Sequence, residues 1–522
     1  MKIRNYSALL ILITLAWNTS IYAGTSFLDD DMSFEVLFTN PVCNDYEYTS
    51  YKQIYSIDST KLEQKPKNVF CTAFDESASA KRISSPQNKL IEWIKEEETK
   101  ELFFTYLSFS NRSVAKELCS AIKKNVKVTF IIDNPLYEDT KAKEIVDFTE
   151  EERSLLEQAI QYSTDPQSSY QWIKSIPSIQ REVKNALRLL DCGKDNPVES
   201  QPKLYFRGKT FNLKNNRRMQ KIGLAHNKLF IVNPESKKQI KVSFSSGNLS
   251  SGTVLHHENW NFIETPAKNY FTQNQLCLMK GMIHKGSAGK DKFINYIQEC
   301  RRHIETLPLE DIKSFFVPGE GSLAMKSIVK AIEDSDKIEI AAHRFSNTDL
   351  INALYKALEK GKIVNMVADD DLYYIDTRYG HSRRNNTPLG SNLYLEAKHV
   401  KKLVKAGMKI KYLETNHWNS YSPALRRFFP LLHHNKFIVF SKKIDENYVP
   451  TKVFSGAGNF TKVAFKKNFE NFYMISVKSA LMSYSKQYSK LWNEMSTEQN
   501  KLPKLNSAPK VITNDPAKRA NL

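Results

Sequence analysis

The sequence predicts a mixed α/β protein built from two similar halves. Residues 102–133 align without a gap onto residues 338–369, at a constant offset of 236. The tripeptide His-Asn-Lys occurs at residues 226–228 and again at 434–436, each time before an apolar, strand-like run. A chain of 522 residues also exceeds what one core usually organises, so two fused halves are expected.

Each copy of the long repeat has the pattern of a strand, a helix and a second strand. The apolar first strand ends at Ser110 or Ser346, and the following segment carries apolar residues at helical spacing. The second strand ends at Asp133 or Asp369, which the repeat aligns with each other. A unit of this length predicts two parallel strands joined by a right-handed crossover.

Three shorter elements recur in the same order after the long repeat. They are a strand opened by His-Asn-Lys, a strand ending in Ser, Gly and Asn, and a Glu-Asn pair heading a third apolar segment. They occupy 229–232, 241–248 and 258–259 in the first half and 437–440, 452–459 and 470–471 in the second, at offsets of 208, 211 and 212.

These repeats divide the chain into a first half, residues 85–305, and a second half, residues 306–498. Residues 24–84 are an N-terminal extension that we expect to fold onto the first half. Residues 499–522 are rich in Pro, Lys and Asn without apolar period, which predicts a disordered tail.

The first 23 residues have the three-part plan of a secretory signal peptide. Lys2 and Arg4 precede an apolar run from Ala8 to Trp17, and the small residue Ala23 stands before Gly24. The apolar run is too short for a comfortable membrane span. We therefore expect a secreted or periplasmic protein whose mature chain begins near residue 24.

Six cysteines, all in the mature chain, fit an oxidising compartment. Some are expected to pair, although about fifteen connectivities are open in principle and buried free thiols are the alternative. No two lie at the Cys-x-x-Cys spacing typical of zinc sites. They are Cys43, Cys71, Cys119, Cys192, Cys277 and Cys300.

The charge balance indicates anionic partners. Lys and Arg number 76 against 57 Asp and Glu, which gives a formal net charge of +19. Such a field attracts nucleic acid, anionic lipid headgroups or small phosphates. A solvated Lys-rich surface is the alternative, because the lysines are spread along the whole chain.

The duplicated tripeptide predicts a site for an oxyanion. Side chains alternate along a strand, so His226 and Lys228 share one face and Asn227 takes the other. A single His-x-Lys is more often an ordinary structural histidine. If the halves pack about a pseudo-twofold axis, however, His434 and Lys436 complete a site with two imidazoles and two ammonium groups.

Such a site suits phosphodiester cleavage without a metal or cofactor. One imidazole attacks phosphorus, the other protonates the leaving oxygen and later activates water, and the lysines hold the charged oxygens. Asn248 and Asn459 are expected to donate further hydrogen bonds to those oxygens. Glu258 and Glu470 are expected to accept from a histidine ring N–H and fix its tautomer.

At these residues the sequence resembles the phospholipase D superfamily, over roughly residues 85–265 and 310–480. The resemblance implies two pseudo-twofold-related α/β/α sandwich lobes with the active site at the lobe interface, and hydrolysis through a phosphohistidine. It implies His226 as nucleophile and His434 as acid. Carried over by residue, the catalytic set is His226, His434, Lys228 and Lys436, the phosphate-binding pair is Asn248 and Asn459, and the supporting pair is Glu258 and Glu470.

The sequence departs from the family pattern at one point in each half. The family has an Asp after the motif Lys, separated from it by four residues, where this chain has Asn233 and Ser441. That Asp is understood to support local structure, and both replacements can hydrogen-bond in a turn. The departure nevertheless leaves room for a catalytically silent anion-binding protein.

Inserts between the repeated elements are the expected substrate loops. Basic clusters occur at 214–221 and 381–386, and residues 418–430 mix aromatic residues with Arg. This mixture suits a lipid interface, stacking on single-stranded nucleic acid, or a packed helix with solvated arginines. We expect an exported phospholipase D-type enzyme acting as a monomer at a phospholipid or membrane surface, with a nuclease or other phosphodiesterase as the alternative.

Overall fold

The computed structural model describes residues 32–41, 79–133, 177–208, 223–374, 390–415, 419–422, 427–430, 432–502 and 511–512. The predicted signal peptide, the basic clusters 214–221 and 381–386, and the residues Cys43 and Cys71 lie outside this part of the chain.

The first half forms one sheet with helices against it. Its strands are β1 (Ser33–Thr39), β2 (Glu101–Tyr106), β3 (Lys127–Asp133), β4 (Lys203–Arg207), β5 (Leu229–Val232), β6 (Gln239–Ser245) and β7 (His256–Pro266). Its helices are α1 (Pro86–Lys95), α2 (Arg112–Ile122) and α3 (Pro177–Cys192), and α4 (Tyr270–Lys285) and α5 (Lys290–Arg302) lead to the second half. The strand order is β1-β7-β6-β5-β2-β3-β4, so the N-terminal extension supplies an edge strand.

The second half repeats this plan. Its strands are β8 (Ile312–Val317), β9 (Lys337–Ala342), β10 (Ile363–Asp369), β11 (Lys409–Leu413), β12 (Asn419–Ser422), β13 (Arg427–Pro430), β14 (Leu432–His433), β15 (Lys436–Ile444), β16 (Asn447–Gly456), β17 (Glu470–Ile475), β18 (Thr497–Glu498) and β19 (Val511–Ile512). Its helices are α6 (Gly321–Asp334), α7 (Thr348–Glu359), α8 (Gly390–Lys405) and α9 (Lys478–Lys490). The main sheet has the order β18-β11-β10-β9-β15-β16-β17-β8.

The predicted strand-helix-strand repeat is present in both halves. Strands β2 and β3 pair in parallel and are connected by α2, and β9 and β10 pair in parallel and are connected by α7. The helices start alike because Asn111 and Asn347, which the repeat aligns, each accept a backbone N–H in the first turn through the side chain. The prediction of a mixed α/β fold with two similar halves is confirmed.

Each sheet buries both of its faces. Residues such as Phe104 pack outward against α1, α2 and α3, while the neighbouring Phe103 packs into a core that both halves share. In that shared core the rings of Phe244 and Tyr473, one from each half, stack with centroids 3.7 Å apart. Helices α4, α5 and α9 complete it. The halves are therefore joined through a common apolar layer, whose burial from water holds them in register.

The halves also exchange backbone pairing close to the tripeptides. Strand β14 pairs in parallel with β7 of the first sheet, with His433 beside His257. In the reciprocal position, Ala225 forms a parallel bridge with Phe469. Each tripeptide is thus placed beside the Glu-Asn pair of the opposite half.

Two disulfides brace the helical layers. Cys119 in α2 is bonded to Cys192 at the end of α3, and Cys277 in α4 is bonded to Cys300 in α5. These are two of the pairings that the sequence left open.

Ordered structure continues past residue 498, where composition predicts a disordered tail. Residues Gln499–Lys501 form a turn of 3-10 helix and Leu502 is buried against the second half. Strand β19 pairs with β12. No helix in the described ranges has the length and apolar character needed to cross a membrane.

Candidate active site

The two tripeptides meet at the boundary between the halves, as the repeat predicts. His226 and His434 are each 6% exposed, and Lys228 and Lys436 are 0% and 1% exposed. Backbone bonds fix them across the boundary, because His226 N–H donates to Phe469 O at 3.0 Å and His434 N–H donates to His257 O at 2.9 Å. Burying four polar side chains together costs folding free energy unless they are paired. Such a cluster is therefore typical of a functional site.

Each histidine pairs with the glutamate of the other half. His226 Nδ1 lies 2.8 Å from Glu470 Oε2, and His434 Nδ1 lies 2.9 Å from Glu258 Oε1. Both carboxylates are fully buried. The sequence predicted both glutamates as histidine partners, but it did not predict that the pairs cross between the halves. A single half could therefore not orient its own histidine.

Two aspartates hold the segments that lead into the histidines. Asp133 Oδ1 accepts the N–H of Ala225 at 2.6 Å, and Asp369 Oδ2 accepts the N–H of His433 at 2.9 Å. Burial raises the pKa of Asp369 to about 7. The sequence repeat aligned these aspartates, which was the available signal, but their function as anchors was missed.

Two asparagines hold the lysine backbones. Lys228 N–H donates to Asn471 Oδ1 at 3.0 Å, and Lys436 N–H donates to Asn259 Oδ1 at 3.4 Å. Both asparagines are fully buried and directly follow Glu470 and Glu258 in sequence. The Glu-Asn pair of each half thus orients a histidine with its first residue and a lysine with its second.

The lysine ammonium groups lie against the histidines of their own half. Lys228 Nζ is 3.2 Å from His226 Nε2 and donates to His226 O at 3.1 Å. Lys436 Nζ donates to His434 O at 3.0 Å. An ammonium group only donates, so Nε2 of His226 presents its lone pair while Nδ1 carries the proton donated to Glu470. This is the neutral tautomer that a nucleophilic imidazole needs.

The glycine-rich strand ends let the carboxylates approach. A side chain at Gly247 would collide with the Glu258 carboxylate, and one at Gly458 would collide with Phe472 beside Glu470. Glycine at these strand ends therefore lets the backbone pass close to Glu258 in the first half and to the Phe472 ring beside Glu470 in the second.

The adjacent asparagines, predicted to bind phosphate, are partly buried. The side-chain oxygens of Asn248 and Asn459 have no hydrogen-bond partner among the described residues. In both halves, the Oδ1 atom of this asparagine thus accepts no hydrogen bond from the described residues.

Burial dominates the electrostatics of the site. It lowers the pKa of His226 to about 4, although Glu470 acts in the opposite direction, and it lowers the pKa of Lys228 to about 8. Burial and then the charge of Lys228 hold the pKa of Lys436 well below its ordinary range. Burial, followed by the charges of Lys436 and His343, does the same to the pKa of His434. The protonated forms of these two histidines and two lysines are therefore destabilised, and a bound anion would stabilise them.

The symmetry is broken around His434. His256 Nδ1 lies 3.2 Å from Glu258 Oε1, whereas the corresponding residue of the second half, Asn468, donates through Nδ2 to Glu470 Oε1 at 2.9 Å. The ring of His343 is 5.3 Å from that of His434, between centroids. Neither additional histidine was predicted from the sequence, although the position two residues before each repeated glutamate was a possible signal for His256.

The residues that replace the family Asp lie away from the histidines. Asn233, at the far end of β5, accepts the N–H groups of Lys100 and Glu101 through Oδ1 and donates to Glu98 O. Its φ is +56°, which Asn tolerates better than most residues. The carbonyl of Ser441 accepts the N–H of Asp336 at 2.9 Å. Both positions tie strand ends together.

Comparisons with known proteins match the second-half residues of this site to a family. Residues 328–492 match the family described as "Cardiolipin synthase, PLD-like domain". No curated protein sequence matches the chain.

Solved structures that resemble the chain are distant in sequence. NucT from Helicobacter pylori is 16% identical over 36% of this chain and 98% of its own, with a TM-score of 0.25. Phosphatidylserine synthase from Haemophilus influenzae Rd KW20 is 14% identical over 81% of this chain and 88% of its own, with a TM-score of 0.46. Nuc from Salmonella typhimurium, a phospholipase D family member, is 22% identical over 36% and 96%, with a TM-score of 0.23.

The family match lies within the second half, at residues 328–492, which include His434, Lys436, Asn459 and Glu470. The first half carries the same motif set in the same order, so both halves resemble the phospholipase D superfamily at these residues.

Proposed function

We propose that the chain is an exported phospholipase D-type phosphodiesterase that hydrolyses the headgroup ester bond of phospholipids through a phosphohistidine, without a metal. The observation that carries this proposal is the pair of crossed His–Glu contacts flanking two buried lysines. The neutral His226 imidazole presents its Nε2 lone pair to the Lys228 ammonium. When a phosphodiester binds, its oxygens can take over that ammonium, which leaves Nε2 able to attack phosphorus.

The first step uses His226 as nucleophile. Its Nε2 forms a bond to phosphorus while Glu470 stabilises the positive charge that develops on the ring. The bond from phosphorus to the headgroup oxygen breaks, and His434 gives that oxygen a proton. Because the phosphodiester brings negative charge next to His434, it counteracts the neighbouring cations that lower the pKa of this histidine.

The second step reverses the proton transfer. His434 takes a proton from water, the water oxygen attacks phosphorus, and the bond to His226 Nε2 breaks. The products are phosphatidic acid and a free headgroup alcohol. Lys228 and Lys436 neutralise charge on the phosphoryl oxygens, and Asn248 and Asn459 supply amide donors in both steps.

A lipid substrate is favoured by the hairpin before the second tripeptide. Strands β12 and β13 pair antiparallel and carry Tyr421, Phe428, Phe429 and Arg427. The hairpin ends two residues before β14, which leads into His434. Aromatic and cationic residues so close in sequence to His434 suit an interface at which headgroups are reached.

The test is release of phosphatidic acid from mixed phospholipid vesicles by residues 24–522 in EDTA. We expect release by the wild type and none by His434→Ala, while His303→Ala, a change at a mostly exposed histidine in the helix cap, behaves like the wild type. Equal release by wild type and His434→Ala would contradict the proposed chemistry.

A nuclease or other phosphodiesterase is the second candidate, favoured by the formal charge of +19. The same proteins are therefore assayed on single-stranded DNA. Cleavage of DNA without vesicle turnover would move the proposal to nucleic acid.

A silent anion-binding protein is the third candidate, motivated by Asn233 and Ser441. Turnover of any phosphodiester that His226→Ala abolishes would eliminate this candidate.

A further inference from the structure

Glu258 is shared by two imidazoles. Its Oε1 accepts from His434 Nδ1 at 2.9 Å and from His256 Nδ1 at 3.2 Å. In the other half, and within the described part of the chain, Glu470 contacts one imidazole, through Oε2, and its Oε1 accepts from the amide of Asn468. The two glutamates therefore differ in one hydrogen-bond donor, which is the imidazole of His256 for Glu258 and the amide of Asn468 for Glu470.

We propose that His256, Glu258 and His434 form a Zn²⁺ site whose occupation inactivates the enzyme. The three ligand atoms lie within 4.8 Å of one another. Zinc binds imidazole nitrogen and carboxylate oxygen at about 2.0–2.2 Å, which places tetrahedral ligands roughly 3.3 Å apart. The two His–Glu separations are already close to that value. A zinc ion can therefore take the place of the two shared protons once the two imidazoles, whose ligand atoms lie within 4.8 Å of each other, close on it.

The surroundings leave room for the rest of the coordination. The side chain of His256 is 18% exposed, which provides an entry route for the ion. Nδ1 of His343 and Oε2 of Glu258 have no hydrogen-bond partner among the described residues. Two imidazoles and one carboxylate, with a fourth position for water or His343, are a set that Zn²⁺ accepts.

Binding would inactivate His434 through its tautomer. A zinc ion on Nδ1 requires the ring proton on Nε2, the nitrogen that faces substrate when Nδ1 faces Glu258. His434 could then neither take a proton from water nor exchange one with the leaving oxygen. The inhibition depends on the proposed function, whereas zinc binding itself does not.

The chain provides a matched control, because His256→Asn copies Asn468. This change keeps an amide donor for Glu258 and removes one zinc ligand. The converse change, Asn468→His, places a second imidazole beside Glu470 and His226. The first variant is expected to lose a zinc site and the second to gain one.

The experiment measures Zn²⁺ binding to untagged residues 24–522 by competition with a chromophoric chelator, without substrate. We expect the wild type to bind one zinc ion at least tenfold more tightly than His256→Asn, and Asn468→His to bind a second. The activity of each protein on bis(p-nitrophenyl) phosphate is then compared in Zn²⁺ and in EDTA. Inhibition at least tenfold weaker in His256→Asn supports the proposal.

Equal zinc affinity in wild type and His256→Asn, both with wild-type melting temperatures, would overturn the site. Should His256→Asn not fold, Asn468→His alone decides, and absence of a second zinc ion overturns the site. Zinc-stimulated turnover would overturn the inhibitory role. If no protein turns over substrate but zinc binding follows the variants as expected, the site stands and the proposed function fails.

Discussion

The pH dependence of turnover tests the coupling of His226 to Glu470 most sharply. His226 must be neutral to attack, and burial lowers its pKa to about 4. The difference from the ordinary value of 6.5 corresponds to roughly 3 kcal/mol in favour of the neutral form. Lys228 must be charged to hold phosphate, and burial lowers its pKa to about 8. In EDTA, and with an activated leaving group that needs little protonation by His434, kcat/KM should therefore be flat between about pH 5 and pH 7 and fall on both sides.

Glu470→Gln should move both limbs in the same direction. The carboxylate raises the pKa of His226 and also raises that of Lys228, so its removal lowers both. The acid limb then moves below pH 4 and the alkaline limb below pH 8. The plateau should fall by about 10²- to 10⁴-fold, because the imidazole loses the group that fixes its tautomer.

The assay is initial hydrolysis of bis(p-nitrophenyl) phosphate from pH 3.5 to pH 10, since kcat/KM reports groups of the free enzyme. Glu446→Gln, which alters a side chain that is 92% exposed, is the control and should keep the wild-type profile. An acid limb near pH 6.5 in the wild type, or limbs that move upward in Glu470→Gln, would refute the reasoning.

Three further changes test contacts of the site and the stability of the fold. Gly247→Ala should lower kcat at least tenfold, because its methyl group collides with the Glu258 carboxylate and with the buried ring of Trp260; wild-type kcat would contradict this. Tyr484→Phe removes the donor to Asn261 Oδ1 and should cost about 1–3 kcal/mol in urea unfolding, and a neutral effect would show that water replaces it. Replacing Cys277 and Cys300 by Ala opens a loop with a sequence separation of 23 and should cost about 3 kcal/mol, measured by reversible thermal unfolding; no loss would contradict the pairing.

The sequence predicted the two halves because their signals are local and duplicated. The strand-helix-strand repeat, the tripeptides and the Glu-Asn pairs each lie within a short window, and offsets of 236, 208 and 212 align them without structural knowledge. Alternation along a strand was enough to put His226 and Lys228 on one face.

The crossed partners could not be predicted in the same way. His226 and Glu470 are 244 residues apart, and which glutamate meets which histidine depends on how β14 and Ala225 pair across the boundary. The anchoring of Ala225 by Asp133 is equally non-local. Such contacts follow from the packing of the halves, which no local pattern encodes.

The difference between the two halves around the glutamates could not be predicted from the repeat either. A search for matching residues identifies what the two halves share. His256 contacts Glu258 and His343 lies beside His434, and these contacts distinguish this end of the site from the end formed by Glu470 and His226. Comparing mismatches at aligned positions would have identified His256 against Asn468.

The central claim is that two histidines from two halves share one phosphodiester reaction, with His226 as nucleophile. The most direct measurement is mass spectrometry of protein quenched in alkaline denaturant during turnover of bis(p-nitrophenyl) phosphate by His434→Ala. An activated leaving group needs little protonation, so the intermediate should form and then accumulate because His434 no longer activates water. We predict a phosphoryl adduct on the peptide containing His226. An adduct on another residue, or turnover by the wild type with no adduct in either protein, would contradict the account.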